Sequence, residues 1–172
     1  MRIAEEEPFA GRTAEAGDDP GHQVVVARLV RDVMRLSLLL GRVHPPYIKW
    51  LGAAFTRLPR VQRIASALGA ALNTGVSADG RQAALCDAYE AAGEWQNALA
   101  LAEAVEPTRR LFYDRPYPVI DAARFATALL ERVTDPDVAA LPPVGAVDQW
   151  ADSVAVLTSP SLCRRLVESV MR

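Results

Sequence analysis

VVVARLVRDVMRLSLLLGRVHPPYIKW, residues 24–50, decides the fold. Val26, Leu29, Val30, Val33, Leu36 and Leu40 recur at three- and four-residue intervals, the spacing that lines them along one helical stripe. That stripe has to face a core. Pro45-Pro46 stops the helix, and Pro46 suits the first turn of another because its fixed φ is helical and its missing N–H costs nothing there. The spacing therefore predicts helices from about Gly21 to Val43 and from Tyr47 to Leu58, the second with Tyr47, Trp50, Leu51, Ala54 and Leu58 as its apolar stripe. Aromatics at such spacing are most simply core, while Lys49 points away from them.

Opposite the first stripe, Arg28, Arg31, Asp32 and Arg35 also fall three and four apart and share a second face. Two readings are open. One is a solvated face in which an Arg28 to Asp32 pair contributes about 0.2–0.5 kcal/mol. The other is a preorganised anion or carboxylate site, since planar guanidinium groups hold such oxygens bidentately. From Arg28 to Arg63 the cations are Arg28, Arg31, Arg35, Arg42, Lys49, Arg57, Arg60 and Arg63, against Asp32 as the one acid. Glu5, Glu6, Glu7, Glu15, Asp18 and Asp19 precede them. Such asymmetry means either that the two segments pack together or that the basic part meets an anion.

With 51% hydrophobic and 23% charged residues, the chain is globular and long enough for a substantial core. A formal net charge of -2 argues against general nucleic-acid binding. Cys86 and Cys163 lack zinc spacing and form no disulfide framework, which fits a cytoplasmic setting. There is no basic leader ahead of an apolar run and no long apolar segment, so neither secretion nor a membrane partner is expected.

Met1–Glu7 reads as an acidic lead-in, and Phe9–Gly21, with Gly11, Gly17, Pro20 and Gly21, as a loop whose Glu15, Asp18 and Asp19 are candidate partners for the arginine face. Past the opening stretch a third helix covers Val61–Leu72. The segment Arg81–Val105 reads as two helices flanking Gly93, similar to one tetratricopeptide-type hairpin but without a second copy at a fixed period. Phe112–Pro118 is extended, Asp121 caps a helix Ala122–Val133, and Asp135-Pro136 opens a short turn. Asp148–Leu157 and a final helix opened by Ser159-Pro160 complete the chain. No alternating run of strand formers stands out. The expected fold is all-α, a compact bundle of about seven or eight helices. It forms a single domain over residues 1–172, with an acidic lead-in and loop over 1–20 and a helical core over 21–172.

Phosphate-cradling glycine loops, the serine-elbow signature and the zincin motif are absent. His22 and His44 have no metal-spaced partner, and neither follows an arginine at the four-to-six-residue interval used by some helical ribonucleases. No metal or cofactor is expected. If polar groups converge on the arginine face, acid–base chemistry on a small anion becomes feasible, with Glu15 and Asp32 as the acid or base.

Several segments together resemble a known family: GRTAEAGDDPGHQVVVARLVRDVMRL, PPYIKWLGAAFTRL, RPYPVIDAARFA, and GAVDQWADSVAVL followed by CRRL. In that order they are similar to the C-terminal helical region of the domain-of-unknown-function 4037 family. Members commonly carry a nucleotidyltransferase-like domain ahead of this region, with a Gly-Ser loop and paired metal-binding aspartates. No Gly-Ser followed by spaced aspartates occurs in this sequence, so the resemblance does not imply nucleotidyl transfer here. It implies a part in holding an acceptor substrate, with Arg28, Arg31, Arg35, Tyr47, Lys49 and Trp50 as binding candidates beside Asp32, and Asp148 and Gln149 after them. The expected function is a non-catalytic helical module that binds an anionic small molecule or docks on a separately encoded nucleotidyltransferase-like partner. The alternative is a stand-alone enzyme performing cyclisation, condensation or lyase chemistry in an Arg-lined pocket. Apolar surface left by a missing neighbour would favour a homo-oligomer.

Overall fold

In the computed structural model, the stripe that opens the sequence reading lies at the centre of the core. Val26, Leu29, Val30 and Val33 are buried almost completely on helix α2, Asp19–Leu40. The structure describes residues 2–145, 147–151 and 153–170, with the side chains of Asp148 and Trp150 outside that description. Contacts divide the chain into two compact units, Arg2–Arg132 and Val133–Arg172.

The first unit opens with a helix where a lead-in and loop are expected. Helix α1 runs Arg2–Glu15, through Pro8 and Gly11, and packs against α2. Its glycine is what misleads. Gly11 lies under the buried Tyr117 ring, and a Cβ built there would come within 2.2 Å of the ring's Cγ, so the residue marks a close approach inside a helix and not a turn. The actual turn is short, with Gly17 at φ +68 and Asp18 capping α2 by accepting from the Gly21 N–H at 2.9 Å.

Helix α2 ends in a turn with Arg42 at φ 58, where the Val43 N–H reaches back to the Leu38 carbonyl at 2.8 Å. Helices α3 (Ile48–Phe55), α4 (Gln62–Ala71) and α5 (Ala78–Ala98) follow, and α5 packs against α4, α2 and α1. Helix α5 is continuous where two helices flanking Gly93 are expected. Gly93 is buried inside it, and a Cβ built there would come within 2.8 Å of the Phe125 ring. Strands β1 (Arg110–Leu111) and β2 (Pro118–Val119) pair antiparallel, Arg110 opposite Val119 and Leu111 opposite Pro118, so the extended segment closes into a small hairpin. Helix α6 (Ala123–Leu130) has Ala122 at its cap position and not the expected Asp121, whose φ is 57. Across all described residues the chain is essentially all-α.

The second unit contains α7 (Pro136–Ala139), α8 (Val147–Trp150), α9 (Val154–Leu157) and α10 (Pro160–Val170). The helix expected over Asp148–Leu157 is thus two single turns. Helix α10 packs against α9 and α8. Among the described residues, no helix is long and apolar enough to cross a membrane.

Candidate functional site

Helices α1 and α2 form an antiparallel hairpin whose polar seam explains the arginine face. Arg2 and Glu6 sit four residues apart on α1, and Arg28 and Asp32 four apart on α2 with the charges in the matching antiparallel order. Arg2 grips Asp32 with two guanidinium nitrogens, Nε to Oδ2 at 2.7 Å and Nη2 to Oδ1. One turn along, Arg28 Nη2 donates to Glu6 Oε1 at 2.6 Å. Arg31 Nε lies 3.5 Å from Asp32 Oδ1, and Arg35 is buried. Further along, the fully buried His22 ring donates from Nδ1 to the Ala10 carbonyl at 2.9 Å. Of the two sequence alternatives, packing of the acidic segment onto the basic one is what the fold adopts for Arg28 and Asp32.

The acids that meet these arginines are not the expected ones. Glu15 lies 3.6 Å from Arg115, Asp18 caps α2, and Asp19 accepts from Arg81 at 2.9 Å. Glu15 and Asp32 do not converge. Asp32 is beside Arg2, and Glu15 is thirteen helical steps along α1 from Arg2, about 20 Å at the helical rise.

Glu7 was missed and is the best-placed buried acid. Its two oxygens accept from the backbone N–H groups of Ile120 and Ala122 at 2.8 and 2.9 Å, so α1 supplies the cap that Asp121 does not. Burial pushes its carboxyl above the ordinary value, and the backbone donors offset part of that. On α5, Tyr89 is fully enclosed, and burial drives its hydroxyl well up. Burial likewise pushes the Cys86 thiol up to about 12, so this cysteine is no nucleophile at neutral pH. Glu90 is held below the ordinary carboxylate value by hydrogen bonds from Arg109, which fastens the chain after α5 back onto that helix. The sequence signal for the seam was the mirrored Arg2/Glu6 and Arg28/Asp32 spacing. Glu7 and Tyr89 carry no local signal, because their partners are distant in the chain.

The bend after α2 departs from expectation in the other direction. Leu51 and Leu58 enter the core, but Tyr47 is 48% exposed and Trp50 59%. Phe55, absent from the expected stripe, is the buried anchor of α3. Ile48 is 49% exposed, and Leu39 and Val43 are also open to solvent. Lys49 Nζ stands 5.1 Å from the Trp50 ring centroid, a cation–π contact. The structure thus brings Tyr47, Lys49 and Trp50 together on the surface and puts Arg28, Arg31, Asp32 and Arg35 along the α1–α2 seam. Gln149 lies in the second unit on α8, while the side chain of Asp148 falls outside the described residues. Among the described residues no group of histidine, cysteine and acidic side chains has the arrangement of a metal site.

No curated protein and no solved structure matches the chain. The family comparison lands on the hairpin and bend just described, and the later segments quoted for the resemblance lie outside it. Residues 1–51, from α1 through the first turn of α3, match the family described as a domain of unknown function (DUF4037).

Proposed function

We propose that the chain is a non-catalytic helical module that docks on a nucleotidyltransferase-like protein. The observation that carries this reading is the engagement of Asp32 by Arg2, about 20 Å along α1 from Glu15. A carboxylate gripped by a guanidinium is a poor base, and the second carboxylate is too distant to act with it on one substrate. The resemblance to a family that commonly carries a nucleotidyltransferase-like domain supplies the class of partner. Two free thiols and the absence of a disulfide go with a cytoplasmic setting.

The test is titration of the purified chain against individually purified nucleotidyltransferase-like proteins from the source genome. A saturable complex with one of them, and no turnover of nucleotides by the chain alone, is the expected result. Failure of every such protein to bind removes the reading. Turnover by the chain alone that disappears in Asp32→Asn would replace it with the enzymatic alternative.

A further inference from the structure

Between Asp32 and Asp79 the sequence contains no acidic residue. Within that span Leu39, Val43, Tyr47, Ile48 and Trp50 are exposed, and so are the cations Arg42, Lys49, Arg57 and Arg60. Arg57 lies exposed in the turn just after α3. Arg42 occupies the left-handed region at φ 58, a position glycine fills with less strain, yet an arginine stands there. The result is an exposed apolar and aromatic stretch whose own charged residues are all cations.

We infer that this bend is the face by which the module docks, and that its occupant is an apolar patch with an acidic rim on the protein partner. The inference rests on the proposed function for the identity of that partner. An exposed Trp and Tyr, the Trp with Lys49 over its ring, form the kind of anchor that concentrates binding energy at protein interfaces, and a stretch that supplies cations and no carboxylate of its own favours an acidic counterpart. A second copy meeting the same face would bring like charges together. A nucleic-acid strand would need open ring faces for its bases, but Lys49 already lies over Trp50, three of the five exposed side chains are aliphatic, and the net charge is -2. A lipid surface would need a helix presenting its main apolar stripe outward, whereas α3 turns Leu51 and Phe55 into the core and exposes Ile48 and Trp50 beside Lys49, Gly52 and Ala53.

The experiment uses the intact chain and the same panel of nucleotidyltransferase-like proteins, with Trp50→Ala, the pair Arg42→Glu and Lys49→Glu, and the distant control Val24→Ser. Val24 is exposed near the other end of α2. Thermal melting of each variant establishes that it is folded. The expected result is at least a tenfold weaker affinity for Trp50→Ala and for the charge-reversed pair, a salt dependence that flattens in the latter, and no change for Val24→Ser. Wild-type affinity in both bend variants overturns the inference while leaving the proposed function standing. No binding by any panel member overturns both. Binding instead to a single-stranded oligonucleotide or to anionic phospholipid vesicles, lost in the same variants, also overturns the inference, because the face then belongs to a different occupant.

Discussion

Glu7 and Glu90 are both carboxylates on helices of the first unit, yet their environments move them in opposite directions. Burial raises Glu7, and the Arg109 hydrogen bonds lower Glu90. A raised folded-state pKa means that the contribution of Glu7 is full below the ordinary value of 4.5 and is lost as pH rises through the folded value. A lowered one means that the contribution of Glu90 is present above 4.5 and is lost as pH falls through its folded value. Urea melts across pH about 3 to 7 should therefore show the difference between wild type and Glu7→Gln shifting in the variant's favour as pH rises. For Glu90→Gln the wild-type advantage should shrink as pH falls. Parallel curves for wild type and Glu7→Gln would mean that the carboxyl is not perturbed by burial.

At the scale of elements, the α1–α2 seam and the α3 bend make contrasting demands. Asp32 is buried and gripped by Arg2, so Asp32→Ala strands a guanidinium at the seam and should cost about 3 kcal/mol or more. Glu6→Ala should cost about 1 kcal/mol or less, because its partner Arg28 is half exposed. Equal losses from the two, measured by denaturant unfolding, would contradict the order of burial along the seam. On α3 the prediction reverses the periodicity reading. Phe55→Ala should lose about 3–5 kcal/mol as a core truncation, and Trp50→Ala should stay within about 0.5 kcal/mol. A large loss for Trp50→Ala would return that ring to the core. An eight-residue helix offers several stripes that differ by a rotation of one residue. Periodicity identified Leu51 and Leu58 correctly, but neighbours far along the chain decided that Phe55 turns in and Tyr47 and Trp50 stay out.

Over the whole molecule, burial is uneven. Helices α2 and α5 carry many buried side chains, whereas α7, α9 and α10 carry no fully buried one. Amides protected only by their own helix open at lower free energy than those beneath a packed core. Hydrogen exchange should accordingly find α10 exchanging well before the central turns of α2 and α5, and equal protection would contradict that ranking. Residue order by itself determined the all-helical class, the long α2 with its buried stripe, the break between α2 and α3 that contains Pro45-Pro46 and the start of the last helix, because those depend on local backbone preference and on a period readable within one segment. Only the tertiary structure decided that Gly11 sits inside a helix, that Glu6 and not Glu15 meets Arg28, that Glu7 caps a helix far along the chain, and that the aromatic bend faces outward. Each of those depends on which distant surfaces come together, and no spacing within a single helix encodes that.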